Sequence, residues 1–251
     1  MHKFRPFASV LLLGAFFLLL LCGCTKIGKK IDNFIDHITG ADIVLSAQEE
    51  AWAGMDAYED RKYADALKHF QKLKDNYPFS KYAILAELKI GDCHYNLKQY
   101  SEAIFAYEEF EKLHPRNEAI PYVIYQIGLC NFEQIDTIDR DQTAARSALE
   151  AFQRLQKQFP DDPYARSAED HITVCQKSLV GHEFTIGVFY YQTKHYEAAL
   201  HRFMSVISNY PDVGYHQQSL EYIAKCEEEI GERKEEEAQE ETEEKAQEET
   251  P

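Results

Sequence analysis

Apolar positions recur along most of this chain with a helical period. Tyr63, Ala66, Leu67, Phe70 and Leu73 fall at offsets 0, 3, 4, 7 and 10, which places them on one face of an α-helix. That helix must end at Tyr77, because Pro78 lacks a backbone donor and pushes its predecessor out of helical geometry. Thirty-seven residues further on, Tyr100, Ala103, Ile104, Tyr107 and Phe110 repeat the same offsets up to Pro115. Ala148, Phe152, Leu155 and Pro160 form a third instance, and Tyr196, Ala199, Phe203, Val206 and Pro211 a fourth. Each alanine is followed by an aromatic ring four residues later and a proline twelve residues later. Gly54, Gly91 and Gly187 each lie twelve residues before the alanine, at a point where two helices must approach closely.

A recurring order of glycine, alanine, aromatic and proline resembles the tetratricopeptide repeat, a helix-turn-helix unit of about 34 residues. The resemblance covers residues 46–213. It implies an all-α solenoid of about five units, at about 46–78, 79–115, 116–160, 161–211 and a partial 212–230. In the third unit Gly128 stands 20 residues before Ala148, so eight extra residues carrying Ile138, Asp139, Arg140 and Asp141 are inserted there. In the fourth unit the spacing from Pro160 to Gly187 predicts one long helix from Tyr164 to about Tyr191. A last helix from Tyr215 to Ile230 would cap the final apolar face, as solenoids require. Asp42, Ser46, Ser80 and Ser101 stand where helix N-caps are wanted.

The ends of the chain differ from its body. Lys3 and Arg5 precede an apolar run from Val10 to Cys22 that is short for a membrane span, the pattern of a secretory signal over residues 1–23. Leu21-Cys22-Gly23-Cys24 resembles a bacterial lipobox, which implies cleavage before Cys24 and a covalent diacylglycerol and N-acyl chain on its sulfur and amine. Thr25 is not the aspartate that retains enteric-type lipoproteins at the inner membrane, so the outer membrane is expected. Residues 24–45 then form a linker, with Lys26, Lys29 and Lys30 suited to anionic headgroups.

The formal net charge is −16, which disfavours nucleic acid as a partner. Residues 227–251 alone carry 13 acidic and 3 basic side chains, and residues 231–251 read as an acidic disordered tail or a frayed extension of the last helix. Cys93, Cys130, Cys175 and Cys226 have no CxxC spacing; they fit either small core positions or an oxidised pair, with Cys93 to Cys130 the first candidate. The ten histidines show no HExxH or HxxxH, and neither a phosphate-binding glycine loop nor a GxSxG elbow is present. The sequence therefore reads as a non-enzymatic scaffold without a metal or other cofactor.

Three segments narrow the resemblance: Asn76-Tyr77-Pro78-Phe79-Ser80, the run from Ile120 through Tyr122 to Leu129, and Asp139-Arg140-Asp141 with Ala145, Arg146 and Phe152. Together with Asn209-Tyr210-Pro211-Asp212, they resemble the BamD (ComL/YfiO) family of outer-membrane β-barrel assembly lipoproteins, over residues 24 to about 230. The resemblance implies a periplasm-facing scaffold anchored in the inner leaflet of the outer membrane. Its implied partners are a BamA-like barrel protein with POTRA domains, other Bam lipoproteins, and the C-terminal segments of unfolded outer-membrane protein precursors. Tyr77, Pro78, Phe79, Tyr82 and Tyr122 are the candidate substrate-groove residues. Arg202, on the outward side of the second helix of unit four, is the candidate BamA contact, and Asp139, Arg140 and Asp141 form either a docking loop or an internal ion-pair cluster. A different envelope repeat lipoprotein, one coordinating division or peptidoglycan synthesis, is the alternative. It calls for a coiled-coil segment before the repeats, and residues 25–45 are short for that.

Overall fold

The structure is a computed structural model, and it describes residues 45–248, with side chains up to residue 243. Cys24, the signal, the lysines of the linker and the last three residues lie outside the described residues. From residue 47 onward ten helices follow one another: α1 (Ala47–Glu59), α2 (Tyr63–Asn76), α3 (Ala83–Asn96), α4 (Tyr100–Leu113), α5 (Ile120–Phe132), α6 (Thr143–Gln158), α7 (Pro163–Ser167), α8 (Glu169–Gln192), α9 (Tyr196–Asn209) and α10 (His216–Glu248). No strand occurs among the described residues. Consecutive helices pack as antiparallel pairs, each pair against the next, and α8 lies against α6.

One contact, repeated four times, sets this packing. A Cβ placed on Gly54 would sit 2.7 Å from the Phe70 ring, one on Gly91 2.6 Å from Tyr107, and one on Gly187 2.7 Å from Phe203; Gly128 faces Phe152 in the same way. The ring of the second helix thus lies directly on the backbone of the first. Phe70, Tyr107, Phe152 and Phe203 are fully buried, as are the alanines four residues before each, Ala66, Ala103, Ala148 and Ala199. Each ring contributes roughly 1.5–3 kcal/mol by leaving water.

The turns repeat as well. In units one, two and four the first helix ends in a Schellman motif with a non-glycine residue in the left-handed region: Arg61, Lys98 and Lys194, at φ 60°, 60° and 62°. In unit two the Lys98 N–H bonds the Tyr95 carbonyl and the Gln99 N–H bonds that of His94. Aromatic pairs bracket each such turn, Tyr58 with Tyr63, Tyr95 with Tyr100 and Tyr191 with Tyr196, at centroid distances of 5.4 to 5.9 Å. The prolines end the second helices as expected: Tyr77, His114 and Phe159 precede them at φ −134°, −126° and −136°.

Two sequence expectations differ from what the structure shows. The long helix of unit four tightens at Ala168 into α7 and α8, although the Ala168 and Ile172 N–H groups keep their i−4 bonds. Ser167 Oγ and Thr173 Oγ1 both back-bond to carbonyls four residues earlier, a pattern that bends helices. The serine caps are also reassigned. Ser46 does precede α1, but Ser101 lies inside α4 and Ser80 lies two residues ahead of the Tyr82 cap position, whereas Asp162 caps α7 through the Tyr164 N–H. Asp42 lies outside the described residues. All four internal cysteines are free and buried, so they take the small core positions that the sequence offered, and no disulfide joins Cys93 to Cys130. α10 runs through Glu248, so residues 231–248 take the form of an extension of the last helix, one of the two readings the sequence allowed. Glu, Ala, Gln, Lys and Arg are strong helix formers, and Arg233 ties this stretch to Glu197 of α9 and to Glu237 one turn on.

Candidate binding surfaces

The first helices of units two and three meet over a buried carboxylate. Asp92 is 2% exposed, and its Oδ1 accepts the hydroxyls of Tyr107 on α4 and Tyr122 on α5, each at 2.7 Å. Its Oδ2 accepts Lys89 Nζ at 2.7 Å, and that ammonium stands 4.4 Å from the centre of the Tyr58 ring on α1. One carboxylate therefore joins three units. Burial first, and the Asp92 charge second, push both phenol hydroxyls well above the usual tyrosine range. Tyr58 is pushed up to about 12 by the same two causes.

Beyond Tyr122 an aromatic band continues across the first-helix side. Tyr164 lies 5.4 Å from both Tyr122 and Tyr125, and His171 stacks edge-on to Phe132 at 4.7 Å. Burial raises Tyr95 to about 12 and Tyr125 above its ordinary value. Rings packed this closely form a stiff apolar surface with hydroxyls at its edge.

The candidate groove residues fall in two places. Tyr77, whose N–H caps α2 on the Leu73 carbonyl, and Tyr82, at the start of α3, pack half-buried on the core of the first unit. Between them Pro78 is exposed and Phe79 is fully so. Tyr122 sits instead in the core that runs from α4 to α8, its hydroxyl held by Asp92. Its hydroxyl is therefore not free to bind a partner.

The partner candidates are also bound internally. Arg202 does not stand free in solvent: its guanidinium donates to Glu183 of α8 at 2.9 Å, and this bond, with the Glu183 charge, raises its pKa. In the insertion, Arg140 pairs with Asp136 at 3.1 Å, Asp141 accepts the Thr143 hydroxyl at 2.9 Å, and a Thr137 hydrogen bond lowers the Asp139 pKa. All three residues are exposed. The loop is anchored beneath them. Buried Gln142 donates to the Thr137 and Arg140 carbonyls and accepts Ser178 of α8, and His182 bonds the Ile138 carbonyl at 2.6 Å. Asp139, Arg140 and Asp141 thus form an exposed, braced loop and not an ion-pair cluster of their own.

Sequence reasoning overlooked Asp92, Lys89 and Tyr107 as a set. The position after the repeat glycine is Met55, Leu129 and Val188 in the other units, and the ring position is Phe70, Phe152 and Phe203. The polar substitution at both positions of one unit was the available signal.

A stack of helix pairs keyed by glycine and aromatic residues, with stiff apolar surfaces, is a tetratricopeptide-type scaffold. No helix among the described residues is long and apolar enough to cross a membrane. The YfiO family model, described as outer membrane lipoprotein, matches residues 47–242, and the chain belongs to this family. Its relatives include the outer membrane protein assembly factor BamD of Caulobacter vibrioides, 30% identical over 71% of this chain and 58% of the relative. The namesake in Rickettsia prowazekii is 30% identical over 81% of this chain and 77% of the relative, and that of Vibrio cholerae 24% over 87% and 90%. The chain thus spans little more than half the length of the Caulobacter relative. Among solved structures, MamA from Desulfovibrio magneticus is 15% identical, with a TM-score of 0.38 over 64% of this chain and 74% of that one. Family membership associates the chain with the outer membrane.

Proposed function

We propose that this chain is a lipid-anchored scaffold for outer-membrane β-barrel assembly, tethered through acyl chains on Cys24 to the inner leaflet and facing the periplasm. The observation that carries this reading is the family match over residues 47–242. Fully exposed Phe79, set on the rigid Tyr77-Pro78 turn, supports a role for the first units in gripping precursor C-terminal segments. An extended segment with a terminal aromatic residue gains ring contacts there and modest affinity, which suits hand-over. The later units dock the POTRA domains of a BamA-like protein, with Arg202 and the 139–141 loop at the contact and other Bam lipoproteins completing the assembly. The reading of a division or peptidoglycan scaffold has no counterpart among these relatives.

Two experiments test the parts separately. Phe79→Ala should weaken binding of a barrel C-terminal peptide about tenfold, equivalent to ~1.4 kcal/mol; unchanged affinity removes Phe79 from the groove. Because Arg202 is paired with Glu183, Arg202→Glu is compared with the swap Glu183→Arg/Arg202→Glu, which restores the internal pair. Co-purification of the barrel partner should stay low in both; recovery in the swap would make Arg202 an internal strut alone.

A further inference from the structure

Two grooves lie between successive second helices, on the side of the stack away from the Asp92 cluster. The first, about 560 Å³, runs between α2 and α4 over α3; the second, about 470 Å³, runs between α4 and α6 over α5. They are the same groove one unit apart. Gln71, Ile90 and His94 of the first correspond to Glu108, Ile127 and Asn131 of the second, 37 residues on, and Phe105, Ala106 and Glu109 correspond to Glu150, Ala151 and Arg154, 45 residues on. At 100° per residue, α3 turns Ile90 and His94 into the groove and Lys89, Asp92 and Tyr95 to the opposite side.

Phe105 sets the first groove apart. It is 67% exposed, in a helix whose packing is already completed by Ala103, Tyr107 and Phe110. The same position is Lys68, Glu150 and His201 in the other three units, so the repeat does not require an apolar side chain there. The exposed ring stands beside a floor of Ile90 and Ala106, so the groove offers a partner a continuous apolar contact rather than one isolated side chain. The rim gives the sign of that partner. Asp75, Glu102 and Glu109 line the groove against one ammonium, Lys74, which already bonds Glu109 at 2.7 Å.

We propose that the α2–α4 groove is a second docking site, which takes a short protein segment with an aromatic or aliphatic anchor flanked by lysine or arginine. The anchor packs on Phe105 over Ile90 and Ala106, and its cationic flanks face Asp75 and Glu102. The second groove, with Glu150 where the first has Phe105, lacks the apolar wall and does not take this partner.

The probe is a fluorescent octapeptide of alternating lysine and leucine with a central tryptophan, titrated against the full chain by anisotropy. Affinity should fall at least tenfold in Phe105→Glu and about threefold in Asp75→Asn/Glu102→Gln, weaken with salt, and vanish for the same peptide with glutamate in place of lysine. Phe105→His, the residue of unit four, checks that loss follows the ring and not misfolding, with helicity measured for each variant. Binding that ignores Phe105 would assign the peptide to the acidic stretch of α10, and binding lost in Phe79→Ala instead would assign it to the first-unit loop; either result overturns the proposal. A chain that dimerises through Phe105 and takes no peptide overturns it too, because the occupant is then a second copy. Loss of the barrel-peptide interaction at Phe79 with this binding intact would separate the two surfaces.

Discussion

The Asp92 cluster makes a sharp energetic prediction, because its partners can be removed singly and together. Tyr107→Phe installs the ring found in the other three units and deletes one hydroxyl from a carboxylate that keeps Tyr122 and Lys89. A hydrogen bond to a charged group is worth about 1.5–3 kcal/mol, so a loss near 2 kcal/mol is expected. Asp92→Leu, the residue of unit three at that position, strands the buried Tyr107 hydroxyl, the half-buried Tyr122 hydroxyl and the Lys89 ammonium. Breaking a buried charge pair from one side costs about 3–5 kcal/mol. The double variant removes the Tyr107 hydroxyl that Asp92→Leu had orphaned, so it should be more stable than the sum of the single losses by about 1–2 kcal/mol. The assay is urea unfolding followed by helicity, accepted where the slope against denaturant stays constant across the four proteins. Additivity within about 0.5 kcal/mol would show that Asp92 and Tyr107 do not share a bond and would refute the account of the cluster as hydroxyls held on one carboxylate.

Three further outcomes are expected. Gly187→Ala, which sets a methyl against the Phe203 ring, should destabilise by about 1–3 kcal/mol despite alanine's better helix propensity, whereas Gly231→Ala, where a Cβ meets nothing, should stabilise slightly; equal effects in thermal unfolding would refute the packing rule. Burial pushes the Cys93 and Cys130 thiols up to about 12 and Cys175 and Cys226 up to about 11, so alkylation mapped by mass spectrometry at pH 8 should label none of the four until the chain unfolds. Tyr58 and Tyr95 titrate near 12 when folded and near ~10 when unfolded, so the folded state holds protons that the unfolded state has lost in this window. That contribution to stability is complete below pH ~10 and declines between ~10 and ~12; a denaturation midpoint that stays flat across this range would contradict it.

The repeat itself was legible in the residues because it depends on local rules. Glycine where a ring lies on backbone, alanine where helices touch, and proline where a helix must stop are each dictated within one unit, and the structure places Gly54 against Phe70 and Gly187 against Phe203 accordingly. In the acidic stretch after Ile230 two local rules pull in opposite directions. Its charge favours disorder, but its residues are strong helix formers and a well-formed α10 extends into it, so helix propagation carries on to Glu248.

What sequence alone determined was therefore the fold class, the phase of the units and the family resemblance, since each is written in spacing along the chain. Which side chains remain available for a partner was decided only by the tertiary structure. Arg202 finds Glu183 on another helix, Tyr122 gives its hydroxyl to Asp92 30 residues away, and Phe79 and Phe105 are left with nothing to cover them. The physical reason is that a repeat pattern fixes where a residue sits on its own helix, whereas a polar group is claimed by whichever neighbour the stacking of units brings within about 3 Å.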